Sequence, residues 1–206
     1  MTDNSDFHVL ANQLIEAGRF IDSKGWVPAT SGNFSARLPN GHIAITVSGA
    51  HKGRLQLDDI MLIDLDAKSL DGKRPSAETL LHTALYKRFP GIGAILHPHP
   101  MNAILASRLF KNELILEDYE LLKAFAGIDT HKTRIILPIF ANDQFIPRLA
   151  NQVDQYIAQH NNIYAYIIAG HGLYTWGNTV AQTLIHLEAL DYLIGCELYL
   201  RGVKTL

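Results

Sequence analysis

The sequence predicts an α/β fold in which helices cover both faces of a mixed β-sheet. Segments with apolar residues at helical spacing alternate with short runs of apolar and β-branched residues. Two of these β-prone runs flank the turn 39–41, where Asn-Gly is a good signal for a hairpin of antiparallel strands. Because a hairpin and strands joined by helices occur in one chain, we expect both parallel and antiparallel strand pairs.

The first part of the chain predicts one helix and three strands. Apolar residues recur near helical spacing over 6–23, and Gly25 follows as a helix stop. The runs 34–38 and 42–47 are the expected arms of the hairpin. A third apolar run predicts a strand over 60–65.

Helices and strands alternate in the rest of the chain. Ser76 is predicted to cap a helix that runs to Arg88, where Pro90 stops it. The strand that contains His97 comes next. The further predicted elements are helices over 102–109 and 117–125, helices capped by Asn142 and Asn178 that run to 159 and 200, and strands over 134–137 and 164–168.

Composition restricts the class of protein. With 206 residues and no linker rich in Pro, Gly or Ser, we expect one domain over 1–206. The net charge is −2 and the basic residues are scattered, so no nucleic-acid partner is expected. A single cysteine, Cys196, excludes a disulfide framework and predicts a small core residue. Because neither a signal region nor a membrane span is visible, we expect a cytoplasmic protein with no membrane partner.

Three histidines predict a metal site. His97 and His99 follow an apolar run and are separated by one residue, and alternate residues of a strand project to the same side. His171 lies between Gly170 and Gly172, where a bare backbone lets a ligand approach closely. Three nitrogen ligands on zinc leave one position open, as in catalytic sites. The alternative of three unrelated side chains stays open, because short motifs often occur by chance.

Four segments upstream of these histidines are typical of an anion cradle. Glycine-framed hydroxyl groups and the free N–H groups of a helix start suit a phosphate, and Lys52 or Arg54 could add positive charge. Each segment also has an ordinary interpretation as a turn, a helix cap or a surface charge, so only their joint occurrence is informative. The segments are 30–33, 47–49, 52–54 and 75–76.

Two acidic residues are candidates for proton transfer. Glu78 lies in the first turn of the helix predicted from Ser76, and its carboxylate could reach a metal or a substrate. It could instead only complement the helix dipole. Glu120 lies at an acid-rich helix start and could instead belong to a solvated helical face. The residues alone do not choose between the two acids.

Together these motifs resemble the class II aldolase and epimerase family. The resemblance extends from Ala29 to Arg201 and is carried by Ser31-Gly32-Asn33, Ser48-Gly49, Pro75-Ser76-Ala77-Glu78, His97-Pro98-His99 and Gly170-His171-Gly172. It implies that His97, His99 and His171 hold one zinc ion per subunit. It implies phosphate-binding roles for Gly32, Asn33, Ser48, Gly49 and Ser76. The aldolases often have a second serine where this chain has Ala77, so we expect different phosphate contacts there.

The resemblance also implies a fold and an assembly. The expected fold is a three-layer α/β/α sandwich around a central mixed, largely antiparallel sheet. Subunits of the family usually form a four-fold ring with the active site at the subunit boundary. We therefore expect a homotetramer.

Within the family, four segments are most similar to its dehydratases: 48–53, 78–82, 119–124 and 137–144. They imply a lyase that removes water from a methylthio-substituted ketose 1-phosphate in methionine salvage, through a metal-stabilised enediolate. In the dehydratases, the acid matching Glu120 is expected to transfer the proton.

Two other activities stay open. An aldolase would cleave a ketose 1-phosphate such as fuculose 1-phosphate to dihydroxyacetone phosphate and an aldehyde, with the acid matching Glu78 in the proton-transfer role. The third interpretation is a non-catalytic metal-binding protein of the same fold. The intact set of acids argues against it.

Overall fold

The computed structural model describes residues 2–202, so Met1 and 203–206, the ends of the domain predicted over 1–206, lie outside the described residues. The helices are α1 (Thr2–Ser23), α2 (Thr79–Arg88), α3 (Met101–Leu109), α4 (Ile146–Gln159) and α5 (Val180–Leu200). The strands are β1 (Asn33–Arg37), β2 (Ile43–Thr46), β3 (Ile60–Ile63), β4 (Ala94–His97), β5 (Glu113–Glu117), β6 (Arg134–Phe140), β7 (Ala165–Ile168) and β8 (Gly172–Gly177). Short 3₁₀ segments span Lys52–Arg54, Leu57–Asp59 and Glu120–Ala124.

The strands form one sheet in the order β3-β2-β1-β4-β8-β7-β6-β5. Among the described strands, β6 and β7 are the parallel pair, and the other neighbouring strands are antiparallel. The predicted mixed, largely antiparallel sheet is confirmed. This order places β1, β4 and β8 side by side in the middle of the sheet, where the candidate site lies.

Two hydrophobic cores lie on opposite faces of the sheet. On one face, α1, α3 and α5 bury residues such as Leu14, Ala106 and Leu190 against the strands. On the other face, α2 and α4 pack together and bury residues such as Leu85 and Val153. The three-layer α/β/α arrangement is therefore also confirmed. In the described part of the chain, no helix combines the length and the apolar character that a membrane span requires.

The predicted hairpin is confirmed. β1 and β2 pair with Ala36 opposite Ala44, and the N–H of Leu38 donates to the carbonyl of His42 across the turn. The first helix ends at Ser23 as predicted, although it begins earlier, at Thr2.

Three predicted helix starts are wrong. Ser76 does not cap α2, because its Oγ accepts from the N–H of Glu78 in a tight turn and the helix begins only at Thr79. Asn142 does not cap α4, since that helix begins at Ile146. In α5 the cap is Thr179 rather than Asn178, with its side chain accepting from the N–H of Gln182. Of these three helices only α5 has a side-chain cap, since α2 and α4 begin without a side chain that accepts a helix N–H.

The helix predicted over 117–125 is also wrong. Strand β5, which was not predicted, occupies Glu113–Glu117 and pairs with β6, so the chain is extended up to the residue where the helix was expected to begin. Asp118, with φ +61°, then turns the chain, and only the 3₁₀ segment Glu120–Ala124 follows. Strand β8 was not predicted, although its alternating aromatic residues have the period of a strand.

Candidate active site

The three predicted metal ligands come together at one end of the central strands. His99 Nε2 and His171 Nε2 lie 3.1 Å and 3.4 Å from His97 Nε2. One ligand atom from each residue lies within 4.8 Å of those of the other two. Imidazole nitrogens that converge in this way match the donor set of a three-histidine zinc site.

His97 is positioned by the sheet. It is the last residue of β4 and lies directly opposite Asn33 of β1. Its ring is fully buried and stacks on Tyr174, with 3.9 Å between the ring centroids. Because the carbonyl of Leu173, 3.0 Å away, can only accept, His97 Nδ1 carries the proton there. Nε2 is thereby left free to bind a metal.

His99 lies beyond the strand. The prediction that one strand carries both His97 and His99 is wrong, because β4 ends at His97. Pro98 and Pro100 favour extended backbone in the residues before them, so the alternation of side chains continues without strand pairing. The N–H of His99 donates to the carbonyl of Trp26 at 2.7 Å, which fixes the segment at the mouth of the site.

The glycines that flank His171 have different roles. Gly170 has φ +64°, so it makes the tight turn between β7 and β8 that presents His171. A Cβ on Gly172 would lie 2.6 Å from His99 Cδ2 and 2.8 Å from His97 Cε1. Gly172 therefore makes room for the other two histidine rings, rather than for a ligand as the sequence suggested.

We expect Gly172→Ala to weaken metal binding by about tenfold or more, because the new methyl group displaces two ligand rings from their supported positions. A zinc titration against a competing chelator measures the effect. The matched control is Gly91→Ala, where an added Cβ has open space around it. Equal zinc affinity in the two variants would show that the rings tolerate displacement.

Glu78 lies against the histidines. Its Oε1 is 3.0 Å from His171 Nε2, and its Oε2 is 3.3 Å from His97 Nε2. Asn33 Nδ2 donates to Oε2 at 2.6 Å, and the hydroxyl of Tyr174 donates to it at 3.2 Å. Glu78 thus belongs to the same cluster as the histidines, and the interpretation that it only complements a helix dipole does not describe these contacts.

Burial and neighbouring charges set the protonation of this cluster. Burial alone would raise the pKa of the Glu78 carboxyl, but His97 and His171 hold that pKa well below its usual range. Burial, and then the charges of His97 and His171, lower the pKa of His99 to about 3. A neutral His99 offers the free nitrogen that a metal ligand needs.

The predicted phosphate-binding residues other than Lys52 line the same cavity as His99 and His171. The cavity has a volume of about 290 Å³. None of the described residues that line it is a lysine or arginine, so its anion-binding groups are hydroxyls, an amide and backbone N–H groups. The lining residues are Thr30, Gly32, Asn33, Val47, Ser48, Gly49, Ser76, Glu78, His99 and His171.

Lys52, also predicted to bind phosphate, lies behind the cavity. Its side chain is buried, and Nζ donates to the carbonyls of Thr30 at 3.1 Å and Ala50 at 2.6 Å. It therefore ties together two loops that form the cavity wall, and the interpretation as a solvated surface charge is wrong. Burial lowers the pKa of Lys52 to about 8.

Glu120 is far less enclosed than Glu78. Its carboxylate is exposed, with Oε1 2.6 Å from Lys123 Nζ and Oε2 3.6 Å from His131 Nδ1. It is absent from the residues that line the cavity. Within a single chain, Glu120 therefore matches the alternative interpretation of an acid on a solvated surface.

The sequence predicts Tyr174 to be a packing residue or, alternatively, part of a pocket for a methylthio group, and its contact with Glu78 was not predicted. It is fully buried in β8, donates to Glu78 and stacks on His97. The signal that could have found it is the alternation of Gly172, Tyr174 and Trp176, which places all three on one face of a strand.

Comparison with known proteins agrees with this geometry. Residues 12–199 match the family model described as class II aldolase and adducin N-terminal domain. The chain is 62% identical over 201 residues to a methylthioribulose-1-phosphate dehydratase of Methylococcus capsulatus, covering 98% of each protein. It is 52% identical to the enzyme of the same name from Pseudomonas paraeruginosa, covering 96% of this chain and 97% of that protein.

Solved structures share the fold. YgbL from Klebsiella pneumoniae, described as a putative aldolase/epimerase/decarboxylase, matches 94% of this chain and 90% of its own with a TM-score of 0.81 at 22% identity. An L-fuculose-1-phosphate aldolase from Thermus thermophilus matches 95% of this chain and 96% of its own with a TM-score of 0.76 at 25% identity. One architecture thus occurs in relatives with different names.

Proposed function

The chain belongs to the class II aldolase family, and we propose that it acts as a methylthioribulose-1-phosphate dehydratase. The reaction converts 5-methylthioribulose 1-phosphate to 2,3-diketo-5-methylthiopentyl 1-phosphate and water, a step in methionine salvage. The observation that carries this proposal is one cavity lined by a histidine cluster, an acid and a set of neutral anion-binding groups. Full-length identity to relatives of that name supports the choice of substrate.

We propose that His97, His99 and His171 hold one Zn²⁺. Their nitrogen atoms converge, and the Nδ1 of His97 is bonded to a carbonyl, so the donor set fits this metal. When bound, the ion supplies a Lewis acid that stabilises negative charge developing on the C2 and C3 oxygens of the ketose. The histidines keep the ion's full positive charge available, because all three ligands are neutral.

Phosphate binding is assigned to the hydroxyl and backbone groups of the cavity wall. Ser48 and Ser76 offer hydroxyls, and Gly32 and Gly49 offer backbone N–H groups without side chains to block them. Fixing the phosphate at this wall orients the sugar, so that C2 and C3 lie toward the histidines. Phosphate binding therefore requires a fixed distance between the two loops of this wall. The ammonium of Lys52 maintains it by donating to the carbonyls of Thr30 and Ala50.

Proton transfer is assigned to Glu120 of a neighbouring subunit. The carboxylate of Glu78 already has four close partners, whereas that of Glu120 is exposed on the surface of its own chain. In the homotetrameric ring that we propose, an exposed acid can reach the cavity of the next subunit. Glu120 takes the C3 proton and then returns it to the departing C4 hydroxyl, which leaves as water. The resulting enol tautomerises to the 2,3-diketone.

Product identity tests the function. The purified protein, loaded with zinc, is incubated separately with 5-methylthioribulose 1-phosphate and with fuculose 1-phosphate. We expect a diketone from the first substrate and no triose phosphate from the second. The position of Glu78 beside the histidines favours an aldolase as the second candidate. Release of dihydroxyacetone phosphate without any diketone would establish that activity instead.

We expect the KM for the phosphorylated substrate to rise between pH 7 and pH 9. The pKa of Lys52 is about 8, so its ammonium loses its charge in this range and attracts the phosphate less. The expected change is about fivefold to tenfold, because a partly screened charge contributes about 1 kcal/mol. Measuring KM against pH for wild type and Lys52→Met checks this, and the variant should show a high KM with little pH dependence. The same rise in both proteins would assign the effect to another group.

A further inference from the structure

We propose that His82 is a positioning residue that fixes the side-chain amide of Asn33 and, through it, the carboxylate of Glu78. These residues are connected by a chain of hydrogen bonds from Tyr86 to Glu78, in which each group donates to the next one. Asn33 and Ser35 belong to β1, His82 and Tyr86 to α2, and Glu78 directly precedes α2. The inference rests on the proposed function only for the activity assay.

The hydrogen bonds of the chain are continuous. The hydroxyl of Tyr86 lies 2.9 Å from Ser35 Oγ, and Ser35 Oγ lies 2.7 Å from His82 Nδ1. On the other side of the ring, His82 Nε2 is bonded to Asn33 Oδ1. Asn33 Nδ2 then donates to Glu78 Oε2 at 2.6 Å.

Burial keeps water out of this chain of bonds. Ser35 and His82 have no exposed surface, Tyr86 is 1% exposed and Asn33 is 5% exposed. A buried polar group depends on its protein partners, since a donor or acceptor without a partner destabilises the folded state. Each link therefore restricts the next one.

The direction of donation follows from the last acceptor. A carboxylate only accepts, so Asn33 must turn its NH₂ group to Glu78 and its oxygen to His82. His82 Nε2 must then carry the proton. Burial, followed by the charge of His97, lowers the pKa of His82 to about 3, so the ring is neutral and Nδ1 is an acceptor. Ser35 accordingly donates to Nδ1 and accepts from Tyr86.

This direction determines how Glu78 is held. With the proton of His82 on Nδ1 instead, the amide of Asn33 could turn over and place its oxygen against the carboxylate. In the observed arrangement, Oε2 of Glu78 accepts hydrogen bonds from Asn33 Nδ2 and the hydroxyl of Tyr174. Its Oε1 faces His171 Nε2. The amide of Asn33 is thus engaged with Glu78, although the family resemblance assigned Asn33 to the phosphate.

A second buried histidine shows that this arrangement is not a general feature of the core. His186 is 1% exposed in α5, and its Nδ1 is bonded to the carbonyl of Trp176 at 2.8 Å. Its Nε2 has no hydrogen-bond partner among the described residues. Both histidines lie in helices and both are buried. Only His82 of these two is joined to Glu78, which makes His186 the matched control.

The first test compares His82→Phe with His186→Phe in the zinc-loaded protein. We expect His82→Phe to lower kcat by about tenfold or more and to change KM for 5-methylthioribulose 1-phosphate less than about threefold, as losses of supporting hydrogen bonds at metal sites do. His186→Phe should change neither parameter by more than about threefold. A rise in KM with unchanged kcat would assign the Asn33 amide to the phosphate. If His82→Phe and His186→Phe lost the same stability and the same kcat, His82 would have a packing role alone.

The second test reads the proton of His82 directly. Nitrogen-15 NMR of the imidazoles should show the His82 proton on Nε2 in the wild-type protein, and a shift toward Nδ1 in Ser35→Ala. A proton on Nδ1 in the wild type would overturn the proposal. This measurement requires no turnover and stands even when His82→Phe does not fold. A wild type that leaves 5-methylthioribulose 1-phosphate unchanged would contradict the proposed function and leave this test intact.

Discussion

Replacing His97 or His171 by alanine is expected to abolish both zinc binding and dehydration. The ligand nitrogens of the two residues converge with that of His99, so either variant leaves only two imidazoles. Two neutral ligands hold zinc far more weakly than three, and activity should fall by at least about a thousandfold, because the metal contributes several kcal/mol to the transition state. Metal content by mass spectrometry and kcat/KM are measured on the same preparation.

His186→Ala is the control for removing a buried imidazole. It also deletes a ring that is hydrogen-bonded to a backbone carbonyl, but this ring belongs to α5 and contacts Phe125 and Tyr164. It should lose about 1–3 kcal/mol of the free energy of unfolding, as buried hydrogen-bonded groups do, while it keeps its zinc. Full turnover in metal-free His97→Ala would refute the role assigned to the three histidines.

The parts of this site that could be predicted are those that a short stretch of sequence encodes. His97 and His99 are two residues apart, and His171 follows a strand directly, so each motif is visible in a short window of sequence. The phosphate-binding wall was predicted in the same way, from turns rich in glycine and serine. All of these residues do meet in one cavity, apart from His97, which is buried beneath it, and Lys52, which lies behind it.

The parts that the sequence did not reveal depend on contacts between distant segments. Asn33 lies opposite His97 only because β1 pairs with β4, and no local sequence pattern predicts the register of that pair. Tyr174 reaches Glu78 across 96 positions of sequence. His82 looked like an ordinary core residue of a helix, and only the three-dimensional partners of both ring nitrogens show its place beside the site.

Errors in element boundaries have a similar origin. At α5 the neighbouring residues Asn178 and Thr179 were both suitable caps and only Thr179 accepts a helix N–H, whereas α2 and α4 begin without a side-chain cap. The late start of α2 matters for the site. Because the helix begins at Thr79, Glu78 lies at its N-terminal end, and the carboxylate can turn toward the histidines. The segment 113–117 became a strand because β6 offered its edge for pairing, and only the 3₁₀ segment Glu120–Ala124 follows it.

Glu120→Gln is expected to lower kcat by about a hundredfold to ten-thousandfold while zinc content stays unchanged, since general acid–base catalysis contributes about that much. Glu117→Gln, which neutralises another exposed acid of the same region, should leave kcat within about twofold. Glu78→Gln should reduce kcat less than Glu120→Gln does. The reverse order would assign proton transfer to Glu78 and favour the aldolase-like arrangement.

Mixing two inactive variants tests whether Glu120 acts on the neighbouring subunit. His97→Ala subunits lack a metal site but keep Glu120, whereas Glu120→Gln subunits keep the metal site. In a mixed ring, a site is complete where a Glu120→Gln subunit stands beside a His97→Ala subunit in the correct order. Random assembly of equal amounts should therefore restore roughly one quarter of wild-type activity. If Glu120 served its own chain, every site would lack either the metal or the acid, and unfolding and refolding the mixture would restore no activity.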